Sequence, residues 1–446
     1  MKKYSIFDYL RFILPSLLGV FFFIVPVPYG TSFTIPVAIF AKSLNNLLAG
    51  YLSVISTVLI CFSSICSLFV YFMPRLIISR GSFLKNLFLL NFFWLSVRFL
   101  GACFALLTLL QWGPQAIWSS STGAILLGDL LPVLVTVFTF AGLLLPLLLN
   151  YGLLEFFGSI FTIVMRPIFT LPGRSSIDCL ASTLGDGTIG VLLTNKQYQS
   201  GYYTQREACV ISTTFSFVSI TFTVIILSYV NLEHLAVPYY FCLFLVGITT
   251  AILCPRLPPL SQKKDIFFDS VKKTEDEKPK EISHFSWGLS KALQRSQKKT
   301  GVKDFFKEGF QNILDMWFGV LPVVMTFGTV ALIVAEKTPI FRWLGYLVLP
   351  ILYLFDIPEA EAAAQTILIG FADMFLPVIL SSGIESELTK FIIATLSVTQ
   401  LIYMSEVGGL ILGSKIPLTF FDLIKIFLLR TAISLPIVIC VARIFI

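Results

Sequence analysis

The chain contains one stretch twice. Leu131-Pro132-Val133, Thr136, Thr139 and Ala141 recur in the same spacing as Leu321-Pro322-Val323, Thr326, Thr329 and Ala331, each time inside a long apolar segment. The likeness continues at an offset of 186 residues (358 minus 172), pairing Leu171-Pro172 with Ile357-Pro358, Ala208 with Ala394, Thr213 with Thr399 and Ser219 with Ser405. A unit of roughly ninety residues is therefore duplicated. Repeats of apolar segments interrupted by Gly, Pro and polar residues are typical of secondary transporters, whose site lies where the two copies meet.

Hydrophobic residues make up 56% of the 446, charged residues only 13%, and the mean hydropathy is +0.88, values that point to an all-α polytopic membrane protein. Runs of about twenty apolar residues are predicted to span the bilayer at 10–27, 48–71, 87–110, 124–149, 208–230, 237–254, 313–335, 392–412 and 420–446. Lys2 and Lys3 precede the first run and Arg75, Arg80 and Lys85 follow the second, whereas 111–123 is uncharged. The positive-inside rule thus places the N-terminus in the cytoplasm. The first run ends in Val25-Pro26-Val27-Pro28-Tyr29 instead of a small-residue cleavage site, so it is expected to stay as an anchor. Eight cysteines without a Cys-x-x-Cys pair suggest neither a metal nor a disulfide framework.

The chain divides accordingly into N-terminal scaffold helices at 1–123, a first repeat with an additional span at 124–255, a hydrophilic linker at 256–307, a second repeat at 308–415 and a final helix at 416–446. Most of the net charge of +7 resides in the linker, which is expected to be cytoplasmic and largely solvated. Within it, Phe285, Leu289 and Ala292 or Leu293 share one helical face that could rest on the anionic inner leaflet. The scaffold runs are rich in Phe and Leu, with few buried polar groups expected, and Arg98 is expected to snorkel to the interface. Counting spans from the cytoplasmic N-terminus makes the two copies inverted, the geometry that alternating access requires.

After each repeat helix comes a segment too polar for lipid. The first, 172–201, turns at Gly185-Asp186-Gly187; the second, 359–383, turns at Gly370-Phe371-Ala372-Asp373 and continues through Pro377 and Ser381-Ser382-Gly383. Both read as re-entrant helical hairpins, a backbone tolerated in a membrane only where protein or water satisfies it. Each is followed by an apolar helix holding polar residues: Ser212, Thr213, Thr214, Ser216 and Ser219 in one copy, and Thr395, Ser397, Thr399, Gln400, Ser405 and Glu406 in the other. A hydroxyl there can simply bond its own backbone or join helices. A carboxylate is costlier to bury, so Glu406 beside Gly408-Gly409 is a functional candidate.

The run Pro172-Gly173-Arg174-Ser175-Ser176-Ile177-Asp178, with Gly185 to Gly190, Thr194-Asn195-Lys196-Gln197-Tyr198, Gly201-Tyr202-Tyr203-Thr204 and Arg206-Glu207-Ala208, resembles the YjiH-type bacterial membrane proteins of the nucleoside-recognition, or Gate, group. That group also includes the concentrative nucleoside transporters. The resemblance implies that the hairpin tips and the broken helices hold the solute, with a cation near the first hairpin. By position, the substrate-binding candidates are Thr183, Asp186, Thr188, Thr213, Thr214, Ser216, Asp373, Ser381, Ser382, Thr399, Gln400 and Glu406. The Gln-Thr-Glu and Asn-Glu contacts of the group's nucleoside transporters are absent at the matching positions, which counts against nucleoside as the sole solute and leaves amino acid and dipeptide beside it as expected solute classes. Asn195-Lys196 and Arg206-Glu207 are read as a cap or hinge at the foot of the hairpin, and Pro172-Gly173 as its opening turn.

The expected function is ion-coupled symport of a small polar solute across the lipid bilayer, with Na+ or H+ as coupling ion and no resident cofactor. No phosphate-binding loop is present, no nucleic-acid partner is implied, and a homo-oligomer is open. A Gate-type channel or accessory subunit is the alternative. An intramembrane aspartyl enzyme would need Asp186 and Asp373 to share a proton, and the remainder of such a motif is missing. His234 and His284 lie too far from the membrane hydroxyls for catalytic pairing.

Overall fold

The structure is a computed structural model that describes every residue except 1–3, 26, 30–31, 74–81, 185–186, 215–222, 224–225, 228, 269–281 and 298–300. Among the described residues, seven helical stretches are long and apolar enough to cross a membrane: Ile6–Phe23, Leu52–Phe72, Phe92–Leu110, Gln115–Leu149, Ala236–Arg256, Val302–Lys337 and Phe420–Phe445. The protein is a multi-pass helical membrane protein; its described strands are one short antiparallel pair, Val27–Tyr29 with Ser32–Thr34. Two of the nine expected spans, 208–230 and 392–412, are not among these stretches. The 392–412 run is interrupted between Glu387–Thr399 and Val407–Gly413. Of the 208–230 run, the helix Gln205–Thr214 is followed by residues outside the described ones.

Two compact units result, and they cut across the repeats. One comprises Met1–Val25, Ile35–Leu154 and Leu289–Glu336. It holds the duplicated helices Leu131–Leu149 and Leu321–Lys337, both of which begin at the repeated Leu-Pro pair. An irregularity precedes each start: a π-helical turn at Leu126–Leu130 in the first copy and the end of Val302–Gly319 in the second. Small residues let the backbones of this unit touch. A Cβ on Gly142 would lie 3.0 Å from the Ile313 nitrogen, and one on Gly101 would overlap the Pro322 carbonyl. Side chains stitch the same contacts: Asn312 donates to the Gly142 carbonyl (3.3 Å), Trp317 to Val135 (3.2 Å) and Thr326 to Val97 (2.7 Å). Burial grades accordingly, from 22% of the Ile6–Phe23 window to 67% of the Val302–Lys337 window.

Two expectations for this unit are corrected. Arg98 does not snorkel; it is 5% exposed and donates to Ser67 Oγ (2.9 Å) and Ser63 Oγ (3.4 Å). The scaffold is also not poor in buried polar groups, because Ser56, Ser63, Ser64 and Ser67 line one face of Leu52–Phe72. Serines four residues apart share a helix face and supply acceptors that a guanidinium would otherwise seek in water.

The other unit comprises Pro26–Thr34, Glu155–Gly288 and Lys337–Ile446, and contains both hairpins. Its helix Leu153–Phe169 went unread in the sequence, since Glu155 and Arg166 break up its apolar pattern. The linker is less solvated than expected. Gln205 and Arg206 donate their amides to the carbonyls of Ile266 and Lys264, and Lys263 Nζ binds Asp422 Oδ2 at 2.8 Å. The linker helix His284–Gln297 forms, yet Ala292 and Leu293 are buried in protein instead of facing a leaflet. Its start is docked on Leu153–Phe169, where Ser159 Oγ donates to the His284 carbonyl and Phe285 meets the Phe156 ring edge-on.

Candidate functional site

The first hairpin is a pair of helical arms, Ser175–Leu184 and Gly187–Gln199. Close approach at Gly190 lets them pack, since a Cβ there would lie 2.5 Å from Ser182 Cβ. The arms are joined by Asp178, 1% exposed, whose Oδ2 accepts from Thr194 Oγ1 (3.2 Å) on the opposite arm and from Tyr203 Oη (3.0 Å) beyond it. Asp178 Oδ1 has no hydrogen-bond partner among the described residues. One turn earlier, Arg174 is 1% exposed, binds Glu155 Oε1 at 3.3 Å and lies 3.7 Å from the centre of the Tyr202 ring. Gly173 sits where a Cβ would overlap the Gly158 carbonyl, so the opening turn is wedged against Leu153–Phe169.

The foot of this hairpin acts as a cap. Thr204 N donates to Glu207 Oε2 (3.0 Å) while Glu207 N donates to Thr204 Oγ1 (3.2 Å), a capping box that starts Gln205–Thr214. Asn195 Oδ1 accepts from Lys415 N (3.0 Å), tying the second arm to the chain after Val407–Gly413.

The second hairpin is built differently. Its arms are Ala360–Ile369 and the short Leu376–Leu380, and its turn is held by Asp373, whose Oδ1 accepts from the amides of Phe375 (2.8 Å) and Leu376 (3.2 Å). The tip is bonded to the break in the following helix: Met404 N donates to Phe371 O (2.9 Å), Ser405 N to Ala372 O (3.0 Å) and Ser405 Oγ to Asp373 Oδ2 (2.8 Å).

The break has its own supports. Leu401 adopts φ 67°, a region in which branched side chains are uncommon. Tyr403 folds back so that its hydroxyl lies 2.6 and 2.8 Å from the carbonyls of Ser397 and Val398, orphaned by the helix end. Gln400, fully buried, donates to Ile367 O (3.1 Å) and Thr431 Oγ1 (3.0 Å); its Oε1 has no partner among the described residues and faces Gly370 at the tip. Glu406 is half-buried at the start of Val407–Gly413.

Arg430, in the middle of Phe420–Phe445, joins the two copies. It is 3% exposed; Nη1 donates to Thr213 O (3.0 Å), and Nε and Nη2 donate to Thr399 O (3.2 and 2.7 Å). Thr213 and Thr399 are the repeat-related pair. The sequence reading passed over Arg430, although a cation inside an apolar span is itself a signal.

The remaining candidates divide into three groups. Thr213, Thr214 and Thr399 donate their hydroxyls to the carbonyls four residues back (2.6, 2.6 and 3.0 Å), and Ser381 donates to Val378 O. Their protons are thereby committed to backbone, with only lone pairs left for a solute. Thr188 is buried on the second arm of the first hairpin. Asp186 and Ser216 lie outside the described residues, and of Thr183 and Ser382 only the backbone is described.

Two helical hairpins, each leading into a further helix, the second of which is broken between Thr399 and Val407, define the class: a helical membrane protein with a duplicated hairpin core. The chain belongs to the family of an uncharacterised protein of Alkalihalophilus pseudofirmus, to which it is 47% identical over 98% of its own length and 94% of the relative's, and its residues 131–233 match the Gate, nucleoside recognition, family model. A solved structure of a doubly substituted CNTnw, a concentrative nucleoside transporter, in an outward-facing state is similar over 97% of this chain and 99% of that one, with 13% identity and a TM-score of 0.44.

Proposed function

We propose that the protein is a secondary transporter of a small polar organic solute, driven by a proton or sodium gradient, with the N-terminus in the cytoplasm and the hairpins re-entrant. The joint between the second hairpin tip and the helix break at 400–406 carries this reading. Irregular backbone at membrane depth is tolerated only where it is buried or lines a cavity, and the broken helices of transporters use it to bind solute and ion. Asp373, Gln400 Oε1, Ser405 and Glu406 supply the polar groups at the joint; Thr183, Asp186, Thr188, Thr213, Thr214, Ser216, Ser381, Ser382 and Thr399 complete the proposed set by their positions in the repeats.

The joint suits a gate. Separating the tip from the break removes three hydrogen bonds, at about 1 kcal/mol net each. A difference of about 3 kcal/mol keeps the open form below roughly one per cent, low enough to close the site and high enough for a solute to shift. Nucleosides are the first solute class to test, given the nucleoside-recognition match at 131–233.

A thermal-shift screen of the purified protein against nucleosides, amino acids and dipeptides, in sodium and in choline and at two pH values, tests the proposal. One solute class is expected to stabilise the wild type and to lose that effect in Gln400→Ala. Stabilisation by no class, with Gln400→Ala as stable as wild type, overturns it.

A further inference from the structure

The last turn of Leu153–Phe169 is ringed by arginines. Arg166 Nη1 pairs with Glu207 Oε1 (3.0 Å), Arg206 Nη2 donates to Thr170 Oγ1 and to the Pro255 carbonyl (3.4 Å each), and Arg256 donates to the carbonyls of Ile252 and Ile168, the latter at 2.8 Å. Three separate segments bring them together: the helix itself, the start of Gln205–Thr214 and the short turn Cys254–Arg256 that follows Ala236–Leu253. Lys264 adds a fourth cation, exposed, whose carbonyl accepts from Arg206 N (3.2 Å). The carboxylates paired with these groups among the described residues are Glu207 and Asp265, the latter 4.0 Å from Arg206 Nη1. Four cations against two carboxylates leave an excess of two positive charges.

Helix capping accounts for part of the arrangement, because a C-terminus attracts cations. It does not account for the donors left over. A guanidinium carries five N–H groups, of which the contacts above use a minority; Arg166 and Arg256 are exposed, and Arg206 Nε has no partner. The surroundings are also unlike a solvated patch. Ile163 and Arg166 lie three residues apart and Val164 and Ile168 four, so an apolar strip and a charge share the exposed face of one helix. Leu253, Arg256 and Leu257 repeat the pattern on the neighbouring segment, again with both leucines exposed. The bond from Arg256 to Ile168 sets the two strips side by side. An exposed apolar surface that ends in a cluster of arginines matches a phospholipid, with acyl chains along the strips and the phosphate on the guanidinium forks. Basic pockets between membrane helices hold anionic headgroups in this way. We propose that Arg166, Arg206 and Arg256 form a headgroup site for an anionic phospholipid whose acyl chains cover Ile163, Val164, Ile168, Leu253 and Leu257. Through Glu207, which pairs with Arg166 and caps Gln205–Thr214, the headgroup is tied to the foot of the first hairpin. Assignment of the site to the cytoplasmic leaflet rests on the orientation proposed above; the site itself does not.

The test needs neither solute nor gradient, so its failure is separable from failure of the transport proposal. Protein purified in detergent is titrated with phosphatidylglycerol, with phosphatidylcholine of the same acyl chains and with inorganic phosphate, and its melting temperature is followed. Phosphatidylglycerol is expected to raise it by several degrees at saturation, phosphatidylcholine by less and phosphate not at all. Each arginine removed is expected to weaken phosphatidylglycerol binding about fivefold, and Arg166→Gln with Arg256→Gln about thirtyfold, with phosphatidylcholine binding unchanged. Arg11→Gln with Arg342→Gln, the same change of net charge at two other exposed arginines, is expected to keep the wild-type preference. Equal stabilisation by the two lipids, a shift reproduced by inorganic phosphate, or a preference that the Arg11 and Arg342 pair weakens as much as the Arg166 and Arg256 pair overturns the proposal. If the Arg166 and Arg256 double variant cannot be purified, the loss of phosphatidylglycerol binding in Arg166→Gln alone, whose side chain is 54% exposed, decides the matter.

Discussion

The two hairpins descend from one repeated stretch and are held in opposite ways. In the first, polar bonds run between the arms: Asp178 gathers Thr194 and Tyr203, and Gly190 admits Ser182. In the second, the bonds run outward from the tip to the broken helix, through Asp373, Phe371 and Ala372. At the offset of 186 residues Gly190 corresponds to Leu376, a side chain that has no place in an arm contact as close as that of the first hairpin. The lesson is that duplication conserved the framework while the polar residues diverged. One hairpin became a self-braced element and the other a tip latched to the segment it covers.

The largest expected effect lies in the first hairpin. Asp178→Ala removes the acceptor of the buried Tyr203 hydroxyl and one of the two acceptors of Thr194 Oγ1, and is expected to cost about 3 kcal/mol of stability, read by denaturant unfolding in detergent, while Asp178→Asn costs less than half of that. Equal losses in both would show that charge, and not hydrogen bonding, braces the arms. Gly190→Val follows, with an expected cost of about 1–3 kcal/mol from overpacking against Ser182; a neutral outcome would mean that the arms are not in contact. The second hairpin should behave otherwise. Ser405→Ala removes one latch bond, about 1 kcal/mol, so it should barely change stability yet shift the closed-to-open ratio by about fivefold, seen as a matching change in apparent solute affinity. The smallest effect belongs to Asp373→Asn, which keeps an acceptor for Phe375 and Leu376; Asp373→Ala should exceed it by about the worth of a helix cap, ~1 kcal/mol.

The repeat made both hairpins and the start of the helix after each legible, because a polar, glycine-rich turn is out of place in a lipid-facing run; the break between Thr399 and Val407 was not, since 392–412 reads as one continuous span. Bonds to backbone were not legible. Arg430 binds carbonyls, which leave no trace in the amino-acid sequence, and Arg98 found its acceptors on a helix whose serines looked unremarkable in the Phe-rich stretch. The hydroxyls chosen for their positions, Thr213, Thr214 and Thr399, turned out to face their own helix carbonyls, a choice that rotamers make and composition does not reveal. Asp178 and Arg174 stood in the run that carried the family resemblance, and only burial disclosed that they brace the hairpin.

Counterflow in proteoliposomes tests most directly whether the latched tip covers a solute site. Vesicles containing the protein and a high internal concentration of one unlabelled solute are given a trace of the same solute in labelled form, for nucleosides, amino acids and dipeptides in turn. The account predicts transient accumulation for one class with wild type, a weakened response with Ser405→Ala and none with Gln400→Ala. Accumulation of no class by wild type, or accumulation that Gln400→Ala leaves intact, would contradict it.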